Sequence, residues 1–220
     1  PLSIANWSLE ALEGNPTEDE KKEMLTALNA ALDQMNAIVK DLITVSEYGP
    51  GWKNDSWNSV NLAALIKKIA GAHEKAIAGK HIVFSESHDD AASIIQANEV
   101  ALVAVFENLF DNAVTYTPEN GRIEASLTLQ DGNAHFALKD SGIGITESDK
   151  KSIFLQFFRA TNSVSMKNVG TGLGLYICKN IIDGLGGRIW FESKENEGTA
   201  VHFTVPIAYK GDKEGLVVPA

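Results

Sequence analysis

From Met24 to Val45 the apolar residues Met24, Leu28, Ala31, Met35, Ile38, Leu42 and Val45 recur at intervals of three and four. That spacing predicts a heptad seam on a single helix reaching Tyr48, about 45 Å long at ~1.5 Å per residue. A helix of that length cannot bury its stripe against one short partner. The preceding Gly14-Asn15-Pro16-Thr17 reads as a stop and restart. Gly and Asn suit a helix end, Thr17 suits an N-cap, and Glu18, Asp19 and Glu20 favour the positive end of the helix dipole. Residues 1–48 are therefore expected to form an antiparallel helical hairpin that dimerises as a four-helix bundle. The alternative is a hairpin lying on its own globular domain.

The pattern changes at Gly49-Pro50-Gly51. Residues 49–59 read as a linker, and Trp52 and Trp57 within it imply that it packs somewhere. Residues 60–208 mix two periods. Helices are expected over 61–80, 100–115 and 173–185, and strands over 82–85, 122–129, 134–139, 188–193 and 199–205. Ile123, Ala125, Leu127 and Leu129 alternate onto one strand face, and Asp131-Gly132-Asn133 is a hairpin turn. Two hairpins among helices predict an α+β fold, a two-layer sandwich of a mixed sheet and helices. Residues 209–220 read as a frayed tail.

The 220 residues fit one domain with an appendage. A net charge of −10 disfavours nucleic-acid binding. The longest apolar run, Val100 to Phe106, is far short of the ~18 residues of a membrane span. No secretory leader is visible, and the single cysteine, Cys178, excludes a disulfide framework or a Cys-based metal site. These features predict a cytoplasmic chain without membrane contact of its own. Cys178 sits among Leu175, Ile177 and Ile181 and reads as core. All five histidines read as structural: His73-Glu74 lacks the second histidine of a zinc H-E-x-x-H, and the others have no partner motif.

Three polar features remain. On the helix near Asn112, Leu102, Phe106, Leu109, Phe110 and Ala113 share an apolar face; Asn108, Asp111, Asn112 and Thr115 form a polar stripe opposite. Asn108 and Asn112, four apart, project together, and amide oxygens suit a hard cation such as Mg²⁺; a merely solvated face is the alternative. Asp140-Ser-Gly142-Ile-Gly144-Ile145 follows a strand, where a carboxylate can accept from an exocyclic amine; a tight strand-exit turn is the alternative. Gly170-Thr171-Gly172-Leu173-Gly174-Leu175 opens a helix, and bare N–H groups there bind anions. It is neither a P-loop nor a Rossmann loop: Gly79-Lys80 is followed by His81, and no G-x-G-x-x-G occurs.

In this order and spacing, with Ile153-Phe154-Leu-Gln-Phe157-Phe158-Arg159 between the last two, the motifs resemble the N, G1, F and G2 boxes of sensor histidine kinases, within the histidine-kinase and gyrase-type ATPase superfamily. The likeness covers roughly 60–207, and the N-terminal helices resemble that family's dimerisation and phosphotransfer hairpin. It implies that Asn112, supported by Asn108, binds Mg²⁺. Tyr116 packs by the adenine of ATP and Asp140 bonds its amino group, with Gly142, Gly144, Ile145 and Thr199 around the base. Gly170, Thr171, Gly172, Leu173, Gly174 and Leu175 wrap the phosphates. Arg159 and Lys167 become phosphate contacts, and 146–169 a mobile lid. One departure is Thr115, where many members carry Lys or Arg. Pro1-Leu2 resembles the end of an H box, which places the phosphoacceptor histidine five positions before Pro1.

Gyrase-type members place a glutamate base four residues before the Mg²⁺ asparagine, where this chain has Asn108. Glu107 lies about 140° round the helix from Asn112, so transfer to a protein nucleophile is expected over hydrolysis. The resemblance implies a histidine kinase core, partnered by a second copy and by a response-regulator receiver domain. A catalytically silent ATP-binding signalling module and a Ser-directed kinase of the same fold are the alternatives.

Overall fold

The structure, a computed structural model, describes residues 1–14, 16–53, 57–164 and 170–207. Helix α1 spans Leu2–Glu13 and α2 spans Glu18–Glu47. The restart is a capping box: the Thr17 N–H donates to Glu20 Oε2 at 2.8 Å, and the Glu20 N–H returns to Thr17 Oγ1 at 3.3 Å. The two helices pack through small residues, with Ala5, Ser8 and Ala31 buried. Much of the apolar surface stays outside that contact: Leu2, Trp7, Leu25, Leu32, Val39 and Leu42 are exposed. Among the described residues no helix is long and apolar enough to cross a membrane.

After α2 the chain turns back on itself. Tyr48 and Trp52 meet edge to face at 5.1 Å. Trp52 lies so close to Gly184 that a Cβ there would stand 2.4 Å from its ring. The expected linker thus packs at Trp52, and it ends sooner than expected: strand β1, Asn58–Asn61, begins inside it.

The helix expected over 61–80 is broken in two, α3 (Leu62–Ala72) and α4 (Glu74–Gly79). His73 stands at the break. Its Nδ1 lies 2.9 Å from the Ile69 carbonyl oxygen and its Nε2 lies 2.9 Å from Asp111 Oδ1. That carbonyl still accepts the His73 backbone N–H at 3.3 Å, so the ring bond adds to the helix end. Then follow β2 (Val83–His88), a 3₁₀ turn (Asp90–Ala92), β3 (Ile94–Ala97) and α5 (Glu99–Tyr116). Strands β4 (Arg122–Gln130) and β5 (Asn133–Asp140) form the expected hairpin, with Asp131 and Gly132 at φ 49° and 75°. A short helix, α6 (Thr161–Val164), precedes α7 (Gly174–Gly184), β6 (Arg188–Lys194) and β7 (Gly198–Pro206).

The main sheet runs β2-β4-β5-β7-β6; β2–β4 is parallel and the other pairs antiparallel. Strands β1 and β3 form a separate two-stranded ribbon. Helices α3, α5 and α7 layer over one face, with Phe106, Phe110, Phe136, Phe203, Leu102 and Ile177 fully buried between the layers. Phe106 meets Phe136 edge to face at 4.9 Å. This is the expected two-layer α+β sandwich. Leu129 departs from its strand's inward set and is exposed at the end of β4. On the open face, His135, His202 and Trp190 form a near-parallel ring cluster, with centroids 5.2–5.4 Å apart.

Candidate functional site

A cavity of about 560 Å³ opens between α5, the 140–146 turn, the 153–162 segment, the glycine loop before α7 and one face of α2. Its inner end is apolar, lined by Leu138, Ile143, Ile145, Phe154, Phe191 and Val201. Asp140 stands at that end because β5 terminates there. Its Oδ1 accepts the Gly142 N–H at 2.8 Å and the Thr199 N–H at 3.2 Å. Burial pushes its carboxyl up to about 6 against the pull of those two donors.

The turn after Asp140 is held from several sides. The Ile143 N–H donates to the Tyr116 carbonyl at 3.3 Å, joining it to the end of α5. The Ile145 N–H donates to Ser193 Oγ at 2.9 Å. Gly144 sits at φ 65°, and a Cβ there would stand 2.0 Å from the Lys194 carbonyl oxygen, so only glycine fits. The Asn162 carboxamide donates to the Gly144 carbonyl at 3.0 Å. Asp149 accepts the Thr161 N–H at 2.7 Å, which holds its carboxyl below the usual range and ties down the base of the segment above the cavity.

The outer end is polar. Helix α5 brings Glu107, Asn108, Asp111, Asn112, Thr115 and Tyr116 to the wall. The Asn112 side chain has no hydrogen bond to other described residues. Asn108 is committed differently. Its Nδ2 donates to the Ala104 carbonyl at 2.9 Å, and a Cβ on Gly174 would lie 2.6 Å from its Oδ1. It thus packs the Asn helix against the start of α7, and the two carboxamides are not equivalent. Opposite lie Gly170, Thr171, Gly172, Gly174 and Leu175; Arg159 and Thr199 complete the wall.

Two of the residues expected here stand back from it. Gly142 lies just behind the wall, and Leu173 is fully buried with its side chain in the core. Lys167 lies outside the described residues, as does the 165–169 part of the expected lid. The histidine readings need one addition: His73 bonds Asp111 on the cavity wall.

Sequence reading missed the contribution of α2. Ala37, Lys40, Asp41 and Thr44, one face of the helix, line the cavity. The Lys40 ammonium donates to Glu107 Oε2 at 3.0 Å, and the Thr171 hydroxyl donates to Asp41 Oδ2. These pairs are 67 and 130 residues apart in sequence, and no local motif marks them. Glu107 does reach the cavity, contrary to its expected orientation, with its carboxylate engaged by Lys40.

Residues 97–209 match the family model described as histidine kinase-, DNA gyrase B- and HSP90-like ATPase, just over half of the chain. Sensor histidine kinase WalK of Bacillus subtilis (strain 168) is 28% identical over 218 residues, covering 97% of this chain and 35% of that protein. The chain thus spans about a third of that relative. The nucleotide-free catalytic domain of histidine kinase ThkA superposes with a TM-score of 0.62 at 32% identity, over 70% of this chain and 99% of that one. Histidine kinase ThkA in complex with response regulator protein TrrA superposes with a TM-score of 0.72 at 25% identity, over 93% of this chain and 56% of that one. The acid of the apolar slot, the asparagine-bearing helix and the glycine loop all fall within the matched residues 97–209, and the chain belongs to the histidine kinase-, DNA gyrase B- and HSP90-like ATPase family, with an ATP-binding domain of the sensor histidine kinase type.

Proposed function

We propose that this chain is the kinase core of a sensor histidine kinase, taking the γ-phosphate of Mg-ATP to a histidine that precedes Pro1 and from there to an aspartate of a response-regulator receiver domain. The observation that carries the reading is Asp140 at the foot of the apolar slot, with its Oδ1 oriented by two backbone N–H groups. The ionised carboxylate accepts from the amino group of adenine, and the slot around it excludes water from the base. Tyr116, Ile145 and Thr199 border the base.

The phosphates run outward to the loop from Gly170 to Leu175, which lines the cavity at the N-terminus of α7, an end that suits anions. The oxygen donors at the polar end suit Mg²⁺. Asn112 offers an uncommitted carboxamide oxygen, and among the described residues no cluster of three or more His, Cys, Asp or Glu is placed to hold an ion. The cation would therefore rest on Asn112 and the phosphates, and when bound it screens the charge that develops on the transferred group. Asn108 holds α5 in register against the glycine loop, and Arg159 is the described cation on the catalytic side. Lys167 and Thr115 are further candidates for the phosphate end.

Residues 1–48 serve as the dimerisation and phosphotransfer hairpin and 60–208 as the catalytic domain. The exposed Leu25, Leu32, Val39 and Leu42 of α2, with Leu2 and Trp7 of α1, support pairing with a second copy as a four-helix bundle. The complex of ThkA with TrrA supports a receiver domain as the onward acceptor.

The test is phosphotransfer from γ-labelled ATP and Mg²⁺, with the chain extended about ten residues upstream, with and without Asn112→Asp. Acid-labile, base-stable label on the extended chain, lost in the variant, is expected. Absence of label from a chain that binds nucleotide tightly overturns the kinase reading.

A further inference from the structure

Helix α2 presents opposite charges to the two halves of the polar end of the cavity. Lys40 directs its ammonium to Glu107 on the Asn-bearing helix, at 3.0 Å. Its neighbour Asp41 directs a carboxylate to the Thr171 hydroxyl in the glycine loop. The hydrogen bond to Glu107 holds the ammonium above the usual lysine range, and the carboxylates of Asp111 and Asp41 add to that. A cation therefore lies against the oxygen-rich flank of α5, and an anion lies against the loop whose N–H groups suit phosphate.

We infer that Lys40 and Asp41 determine how tightly this site holds a nucleotide, by acting as an internal stand-in for the magnesium–phosphate pair. The inference rests on the nucleotide reading above. The Asp41 carboxylate and a terminal phosphate are like charges competing for Thr171. The Lys40 ammonium and Mg²⁺ are like charges competing for the same oxygen-rich flank. Docked α2 and a bound triphosphate thus exclude one another at the polar end. Asp140 bonds Gly142 and Thr199 and neither the Lys40 nor the Asp41 side chain, so the base end stays open to either state. Loading the triphosphate must lift α2 from Thr171, so nucleotide affinity and the seating of the hairpin are linked through a coupling free energy.

The experiment is calorimetric titration of the chain, of Asp41→Asn and of the Lys40→Met/Asp41→Asn double variant. The probes are a non-hydrolysable ATP analogue with Mg²⁺, and adenosine. Both substitutions fall on the face of α2 that lines the cavity, outside the hydrophobic core. The expected result is a triphosphate affinity about tenfold tighter in the double variant, a smaller gain in the single one, and unchanged adenosine affinity. Equal or weaker triphosphate binding in the double variant, with adenosine still bound, overturns the proposal and leaves the nucleotide reading standing. A chain that binds neither probe overturns both.

Discussion

The N–H of Thr199, at the start of the last strand, donates to Asp140 Oδ1 at 3.2 Å, the same oxygen that accepts from Gly142. Two strands thus converge on one buried carboxylate. Its carboxyl is raised from 3.8 to about 6, so the folded chain holds this proton more tightly than the unfolded chain does. Stability from this group is fully present below about 4 and declines as pH rises to about 6, by about 3 kcal/mol. Adenosine binding is expected to run the other way, because the ionised form would be the acceptor. Asp140→Asn keeps an oxygen for both N–H groups but turns a donor toward the amino group of the base. The variant is expected to lose the pH dependence of its thermal melt between 4 and 6 and to bind adenosine tenfold to a hundredfold more weakly, a charged hydrogen bond being worth about 1.5–3 kcal/mol. Equal adenosine affinity in the variant would remove Asp140 from the base site.

Two glycines of the site separate stability from binding. A methyl on Gly144 meets the backbone of Lys194, which cannot move without displacing the end of β6, and the positive φ adds strain. Gly144→Ala is expected to cost about 3 kcal/mol or more in denaturant unfolding. A methyl on Gly174 meets only the end of the Asn108 side chain. That carboxamide can swing away, at the loss of its bond to Ala104. Gly174→Ala is therefore expected to melt within a few degrees of the parent while nucleotide affinity falls. Comparable loss of stability in both variants would contradict this division.

Lys80 closes the far end of the same helix. Its ammonium donates to the carbonyls of Val114, Thr115 and Thr117 at 2.7, 2.9 and 2.9 Å. A cation there also complements the negative end of the helix dipole. Lys80→Met leaves three partly buried carbonyls without their donor. The expected cost is about 2–3 kcal/mol, a fall in Tm of about 4–10 °C. An unchanged melting curve would show that water replaces the ammonium at no cost.

The exposed leucines of α2 give a prediction about assembly. Sedimentation of the chain is expected to show a dimer. Leu25→Glu with Leu32→Glu, which place charge on the apolar face without touching the catalytic domain, is expected to give monomers that still bind nucleotide. A dimer that persists in the double variant would move the interface elsewhere.

The sequence made some of this architecture legible and hid the rest for physical reasons. The α2 start was legible because its cap, Thr17 with Glu20, is local, and the β4–β5 hairpin because Asp131-Gly132 fixes its turn. Asp140, Asn112 and the glycine loop could be grouped because their motifs resemble one family's in order and spacing, and they do line one cavity. The β1–β3 ribbon was not legible, since each strand has four residues and the partners are far apart in sequence. Neither was the break at His73, whose ring is tied to an aspartate 38 residues away. The α2 wall of the cavity escaped for the same reason: Lys40 and Asp41 look like ordinary solvated helix charges until the chain folds back.

Trp52, wedged between Tyr48 and Gly184, gives α2 a fulcrum on the catalytic domain. Asp41 stands about 10 Å along the helix from that pivot, and the hairpin turn about 45 Å, at ~1.5 Å per residue. A tilt that displaces the far tip by about 8 Å moves Asp41 by only about 2 Å, enough to part it from Thr171. The helix is a reducing lever, and a coarse mechanical input at one end arrives at the other as a stroke the length of a single hydrogen bond.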